Sequence, residues 1–481
     1  MTSQKLSRAA APLAVADVTA RGTQFLSDIT NRYVEKLFPG DTFMLSLTSQ
    51  TITSSSMRHL TLSKGDPTEA LMNPDAAIAC PHLFNTTIPQ EGSPVTHQKA
   101  SGRCWLFAAT NVLRVPIMRR FHLESFELSQ QYLYYYDKLE TANHVLEQVI
   151  DTSDRDIDDR LVQRLLLDPV EDGGQWDMFC NLVEKYGVVP QCLYPDTWSA
   201  QNARLMRTVL ATKIREFALV LRALAKTGDA DAVDAKKTEQ MGQIQDILTT
   251  LLGAPPSADE EFVWQFADKD KKMGEHRSTP LAFAEQFTGR GSECDLQSLT
   301  SVVHDPRNPV NTRLTIDRLG NVVGGRSATY INVDMAALKT ACVEMLKAGR
   351  PVFFGCDFGK FRHRGEGVMD LAVFDYAAGL GTTLLEQSKA DRLRAGESLM
   401  THAMVLTGVH VEAGRPVRWR VQNSHGTEHG DKGYLVMTDA WVDEFLYQAV
   451  VDAEFLGEDV RKALESEPVV LPLWDPLGSL A

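Results

Sequence analysis

No stretch of this 481-residue sequence approaches the roughly 18 consecutive apolar residues of a membrane-spanning helix, so no such span is expected. Cysteine is sparse: seven residues, an odd number, run from Cys80 to Cys356 without a single C-x-x-C pair. That pattern argues against a disulfide framework and against a zinc site, and it fits a reducing compartment. Positive charge is in deficit as well. The 49 Lys and Arg against 63 Asp and Glu leave a net charge of −14, which repels nucleic acid and anionic membrane unless cations cluster locally. The densest cluster, Lys360, Arg362, His363 and Arg364, is short enough to be a solvated loop. Low-complexity tracts are missing too, and 43% hydrophobic with 23% charged residues is the balance of a folded soluble chain. The N-terminal "KLSRAAAPLAVADV" has the outline of a secretory signal, but its apolar part is short, Ala-rich and broken by Pro12, which disfavours export.

What is present divides into textures. A chain of this length should hold two to four units. Residues 1–95 are mixed and Ser/Thr-rich and read as an N-terminal arm. From Ser101, Cys104, Phe107, Ala108, Val112 and Val115 recur at helical spacing, with Pro116 expected to kink or end the helix. "FELSQQYLYYYDKLETANHVLEQV" follows as a second helix with Ser129 as its N-cap. Residues 96–200 thus form a helical domain. Over 201–330 the sequence reads as a helical insertion, since Met206, Leu210, Ile214, Phe217, Leu221 and Leu224 step by three or four until "GAPPS" breaks the pattern. Residues 331–460 are strand-like: "RPVFFGCDFG", "THAMVLTGVHV", "RWRVQNSHG" and "KGYLVMTD" are short apolar or alternating runs, as in an antiparallel sheet or barrel. The last segment, 461–481, has Pro, Gly and few helix formers, as suits an extended arm.

Cys104 falls in the first turn of its helix, where the macrodipole favours a thiolate. A nucleophilic thiol also needs an imidazole, and His402 is the best placed of twelve histidines because it opens the apolar strand "HAMVLTGV", where an unpartnered ring would be costly. Asn423, 21 residues on at the end of the next strand, can orient that ring. The Cys104 backbone N–H and the Gln98 side-chain amide can together receive an oxyanion. Each residue alone has an ordinary explanation as a core or turn residue. Their combination is what carries weight.

"QKASGRCWLFA" resembles the active-site signature of papain-like cysteine peptidases. The resemblance continues in chain order through "LSQQYL", "DGGQW", "YGVVPQCLYP", "HAMVLTGV" and "WRVQNSHG". The 298 residues from Cys104 to His402 are about twice the ~130–150 of papain and the cathepsins. That excess, "ESLMTHAMVLTGV" and the ending "EPVVLPLWDPLGSLA" are similar to the bleomycin hydrolase family, including bacterial aminopeptidase C. The match covers most of the chain from about residue 90.

The resemblance implies an α+β papain-like fold, with a helical left domain and an antiparallel β-barrel-like right domain, extended by the helical insertion and the two arms. It implies Cys104 as nucleophile, paired as thiolate with a His402 imidazolium, His402 as general base and acid, Asn423 as the group orienting His402, and Gln98 as oxyanion donor. It further implies Gly173 and Gly174 as the place where substrate backbone approaches closely, and a homohexamer in which the Ala481 carboxylate pairs with the substrate's free amine. No cofactor or metal is implied. The function to expect is a cytoplasmic cysteine aminopeptidase acting on peptides, with bleomycin-hydrolase-like amidase capability. A Cys-His acyltransferase or amidase, and a nucleic-acid-binding or scaffolding hexamer, remain as alternatives, the latter disfavoured by the charge. One departure stands out: the family has Asn-Ser-Trp-Gly where this chain has Asn423-Ser424-His425-Gly426. The usual Trp shields the Asn–His hydrogen bond from water, so His425 is expected to make activity more sensitive to pH.

Overall fold

The computed structural model describes residues 49–480, with side chains from Met57 onward. Residues 1–48, about half of the expected N-terminal arm, and Ala481 therefore lie outside the described residues. The chain divides into two compact units, one of Met1–Leu71 with Tyr376–Thr382 and one of Met72–Asp375 with Thr383–Ala481. In the first, the described elements are the helices Ser49–Lys64, Pro67–Leu71 and Tyr376–Leu380. Every expected site residue belongs to the second.

Five helices of the second unit matter for the site. Helix α1, Cys104–Phe121, is buried on nearly all sides, as its unbroken apolar start "CWLFAA" requires. Burial of Trp105, Leu106, Phe107 and Val112 contributes about 1.5–3 kcal/mol each. Pro116 does not end it; the helix runs on to Phe121, because packing on both sides outweighs one missing N–H. Helix α2, Gln130–Asp151, begins at Ser129, whose hydroxyl accepts from the Tyr132 N–H at 3.1 Å, as expected of an N-cap. Helix α3 spans Trp176–Tyr186, and α4 (Arg204–Ala225) and α5 (Ala230–Leu252) pack on each other and on α2. The 201–330 stretch is not helical throughout. A hairpin of Phe262–Ala267 and Met273–Ser278 follows, then the helix Pro280–Thr288 and three strands. These strands are short and their apolar residues are interrupted, so the helical periodicity of the preceding 50 residues masks them.

A mixed sheet of twelve strands forms the other half. Its principal strands are β1 (Leu299–Val303), β2 (Thr312–Ile316), β3 (Thr329–Asn332), β4 (Val352–Cys356), β5 (His402–Glu412), β6 (Arg415–Gln422), β7 (Tyr434–Thr438), β8 (Leu446–Asp452) and β9 (Val469–Leu471), in spatial order β9-β2-β3-β1-β8-β4-β5-β6-β7. The pairs that carry the site are antiparallel, as expected, with His402 opposite Cys356 and Val405 opposite Gln422. Elsewhere the sheet departs from that pattern: β1–β3, β2–β9 and β7 with Val368–Met369 are parallel. The first eight residues of β5 are buried without alternation, and α1 packs against the strand, so "HAMVLTGV" carries a continuous apolar run.

The C-terminal arm is docked. Strand β9 adds to β2, Asp475 pairs with Arg307 at 2.7 Å, and the Arg160 guanidinium stacks 4.2 Å from the Trp474 ring centre. Leu477 is buried in a cluster with Leu314, Ile316 and Tyr330. The chain beyond β9, with its short 3-10 turn Pro476–Gly478, is thereby held in place.

Candidate active site

Cys104 is the first residue of α1. The N-cap, Arg103, offers no side chain to the first-turn N–H groups, which leaves them free for Sγ or a ligand. Instead its guanidinium is fully buried, held bidentate by Asp196 at 2.9 and 2.7 Å and within 5.1 Å of the Phe107 ring centre. The loop into the helix is tied to itself, since Gln98 Nε2 donates to the Ser101 carbonyl at 2.7 Å and Ser101 Oγ donates to the Gln98 carbonyl at 2.6 Å. The second hydrogen on Gln98 Nε2 is left to point elsewhere. Gln98 Oε1 accepts from Ser424 Oγ at 2.6 Å, which joins the expected oxyanion donor to the residue after Asn423.

Strand β5 starts at His402, and the residue after it, Ala403, directs its backbone N–H to the Cys104 sulfur. The structure therefore brings Cys104 and His402 to one place. His402 Nε2 donates to Asn423 Oδ1 at 2.9 Å, so Nδ1 carries the lone pair that can take a proton. Asn423 also receives the Ser424 N–H at 2.8 Å, and its Nδ2 donates to His425 Nδ1 at 3.0 Å. The rings of His402 and His425 lie parallel, 8° apart with centres 5.1 Å apart. Phe358 covers His402 at 4.4 Å. The unusual His425 thus occupies the place where an apolar shield was expected, and it extends the chain of hydrogen bonds by one ring.

Burial dominates the electrostatics. It pushes the Cys104 thiol up to about 11, against the pull of the N–H groups of Ala403, Trp105 and Cys104 itself. It pushes His402 down to about 3, which the hydrogen bond that His402 donates to Asn423 only partly offsets, and His425 down to about 4, with the neighbouring Arg362 adding to the effect. Desolvation therefore favours a neutral thiol beside a neutral imidazole, the reverse of the thiolate–imidazolium state that the family resemblance implies.

Gly173 and Gly174 sit at the cleft for different reasons. A Cβ on Gly174 would fall inside the Trp105 indole, so this glycine lets the cleft wall close on the residue after Cys104. Gly173 lines a cavity shared with Gly478 and Leu480 of the arm. The arm is fastened at the same level. The Ser479 carbonyl accepts from Gln175 Nε2 at 2.8 Å, and Ser479 Oγ donates to the Met400 carbonyl at 2.8 Å, two residues before His402. At Ser479 the arm therefore bridges the helical wall and the sheet wall, and the expected anchor Ala481 lies outside the described residues.

Several supporting residues escaped the sequence reading. Asp172 accepts from Gly102 N–H at 3.1 Å and from Tyr134 Oη at 2.8 Å, and its carbonyl accepts from Trp105 Nε1 at 2.9 Å. Lys138, fully buried, lies 3.4 Å from the same carboxylate. The signal available was the Asp preceding the paired glycines in "DGGQW". Ser424 and Gln175 lie inside the motifs "WRVQNSHG" and "DGGQW", but nothing local marks them as partners of Gln98 and of the arm. Among the described residues, no group of His, Cys, Asp or Glu is arranged to hold a metal ion, and no helix is long and apolar enough to cross a membrane.

Comparison with known proteins agrees with this geometry. Residues 42–478 match the family described as Peptidase C1-like. The chain is 45% identical over 408 residues to "Cysteine proteinase 1, mitochondrial" of Saccharomyces cerevisiae (strain JAY291), covering 83% of each. It is 43% identical over 411 residues to "Bleomycin hydrolase" of Mus musculus, covering 83% of this chain and 89% of that one. The crystal structure of PepW from Lactobacillus rhamnosis HN001 superposes with a TM-score of 0.84 at 36% identity, over 91% of this chain and all of that one.

Proposed function

The chain belongs to the Peptidase C1-like family, in its bleomycin hydrolase branch, and is a papain-like cysteine-type peptidase; from that premise we propose that it removes N-terminal residues from peptides through a thioester at Cys104. In this reading Cys104 Sγ attacks the scissile carbonyl as its proton passes to His402 Nδ1. The oxyanion is received by the Cys104 N–H and by the free hydrogen of Gln98 Nε2. Collapse breaks the C–N bond, and His402 returns the proton to the departing amine. His402 then takes a proton from water, which attacks the thioester through a second oxyanion and frees the acid and the thiol. Asn423 holds the ring so that Nδ1 faces the sulfur throughout. Starting from neutral partners, proton transfer creates two opposite charges together, and their attraction offsets the desolvation that each alone would suffer.

The observation that carries the exopeptidase reading is the placement of Ser479, bonded to Gln175 on one wall and Met400 on the other. An arm there blocks the path of a polypeptide through the cleft. It leaves Ala481, two residues on from Ser479, to present its carboxylate to a free α-amine. Cys104→Ala should abolish hydrolysis of aminoacyl arylamides, and retained activity would sink the nucleophile assignment. The same site should cleave simple amides of amino acids, the class of activity suggested by the name bleomycin hydrolase, and a panel of amides against peptides checks it. We further place the enzyme in the cytoplasm as a homohexamer, on the strength of its seven free cysteines and of the family resemblance.

A further inference from the structure

Beside the nucleophile lies a cleft of about 720 Å³ that the arm does not enter. It is lined by the loop Gln98–Gly102, by His425 and by the start of α4 from Ala203 to Arg215, and the loop is joined to the helix start through Ala100, whose N–H donates to the Gln201 carbonyl at 2.9 Å and whose carbonyl accepts from the Ala203 N–H at 3.2 Å. None of Gly173, Gly174, Gln175 or the arm residues lines it. A peptide whose N-terminus meets the arm must continue past Cys104 on the opposite side, and this is the space available there. From Ala203 to Arg215 the helix axis extends about 18 Å, room for about five residues of extended chain.

Four cations line the cleft against two carboxylates. Asp168 and Asp172 are already engaged: Arg207 reaches them at 3.0 and 3.6 Å, and Asp172 also receives Tyr134 and Gly102. Arg215 is spent on the carbonyls of Leu166 and Leu167, at 2.8 and 2.6 Å. Lys99 and Arg204 are different. Both side chains are exposed, and neither makes a hydrogen bond or ion pair among the described residues. Lys99 is the residue after the oxyanion donor Gln98, and its backbone is left-handed at φ 56°, which sets its side chain off from the line of the loop. In a protein of net charge −14, two unpaired cations on adjoining stretches of the cleft lining create a local positive site within a repulsive field, effective over the ~8 Å Debye length of physiological salt.

We propose that this cleft receives the leaving side of the substrate and selects peptides that carry a carboxylate within about five residues after the scissile bond, held by Lys99 and Arg204. That carboxylate is either an acidic side chain or the C-terminus of a short peptide. The inference rests on the peptidase reading for its orientation, and its test is arranged to separate the two. Binding is measured by calorimetry on Cys104→Ala protein with two pairs of peptides: Ala-Ala-Ala-Glu-Ala amide against its Gln analogue, and tri-alanine free acid against tri-alanine amide. At least one acid form should bind about fivefold tighter than its neutral partner at low salt, the gap closing as salt rises. A gap in the first pair assigns the side chain as the source, and a gap in the second assigns the C-terminus. Lys99→Ala with Arg204→Ala should remove the gap, and Lys99→Glu with Arg204→Glu should invert it, a gain that misfolding does not mimic. Equal affinities in both pairs, or a preference that survives the double substitution, overturn the proposal. Arylamide hydrolysis by the unsubstituted enzyme tests the peptidase reading separately, because its failure leaves the binding result intact.

Discussion

His425 accepts a hydrogen bond from Asn423 only while its Nδ1 is unprotonated. Protonation would turn that acceptor into a donor facing another donor, and would place a cation parallel to His402. The groups around it, Arg362, His97, Arg364 and His429, all resist a further positive charge. His402 and His425 both stand below the ordinary histidine value, at about 3 and about 4. Below about pH 6.5 the unfolded chain takes up protons that the folded one refuses. The stability from keeping these rings neutral is thus complete above that pH and lost as pH falls toward 4 and 3. His425→Trp should flatten the fall in Tm between pH 7 and 4.5 and move the acid limb of kcat/KM to lower pH. Superimposable profiles would show that His425 has no part in the titration. For Cys104 the sign is opposite. With its thiol raised to about 11, alkylation by iodoacetamide should climb steadily with pH through 7 to 9. A plateau from pH 4 to 8 would indicate a resting ion pair instead.

At the scale of the element, α1 holds Cys104 in place because the start of the helix is fixed from three sides: Arg103 by Asp196, Gly102 by Asp172, and Trp105 by the Asp172 carbonyl and Gly174. Gly174→Ala forces its new methyl into the Trp105 indole. The cost should be about 1–3 kcal/mol in urea unfolding, with a fall in kcat as the first turn shifts. Unchanged stability would mean that the wall has more give than its packing implies. These elements were also the legible ones. Helix α1, the Ser129 cap and strands β4 to β7 follow from apolar periodicity and cap chemistry, which act within a few residues. The hairpin and strands β1 to β3 were not legible, because each is short and gains its stability from partners distant in sequence, such as β8 against β1.

For the whole molecule, the same division explains what could be read of the site. Cys104, His402, Asn423 and Gln98 lie in continuous motifs with recognisable chemistry. Asp172, Ser424, Gln175 and Met400 act through contacts across the fold: Gln98 with Ser424 spans 326 residues, and Gln175 with Ser479 spans 304. No local pattern announces such a pair. The pKa shifts were hidden for a similar reason, since they come from the packing of α1 on the sheet rather than from neighbours in sequence. Light scattering should return about 320 kDa, six copies of the 53.4 kDa chain; a monomer mass would remove the hexamer from the account. The most direct test of the central claim concerns the chain end. A variant lacking residues 479–481 keeps Leu477 in its buried cluster, so its fold should survive. Both proteins are given one peptide with a free N-terminus and the same peptide acetylated, and the products are read by mass spectrometry. The full-length enzyme should trim only the free peptide, one residue at a time, and the truncated one should cut both internally. Internal cleavage by the full-length enzyme, or stepwise trimming that persists unchanged after truncation, would contradict it.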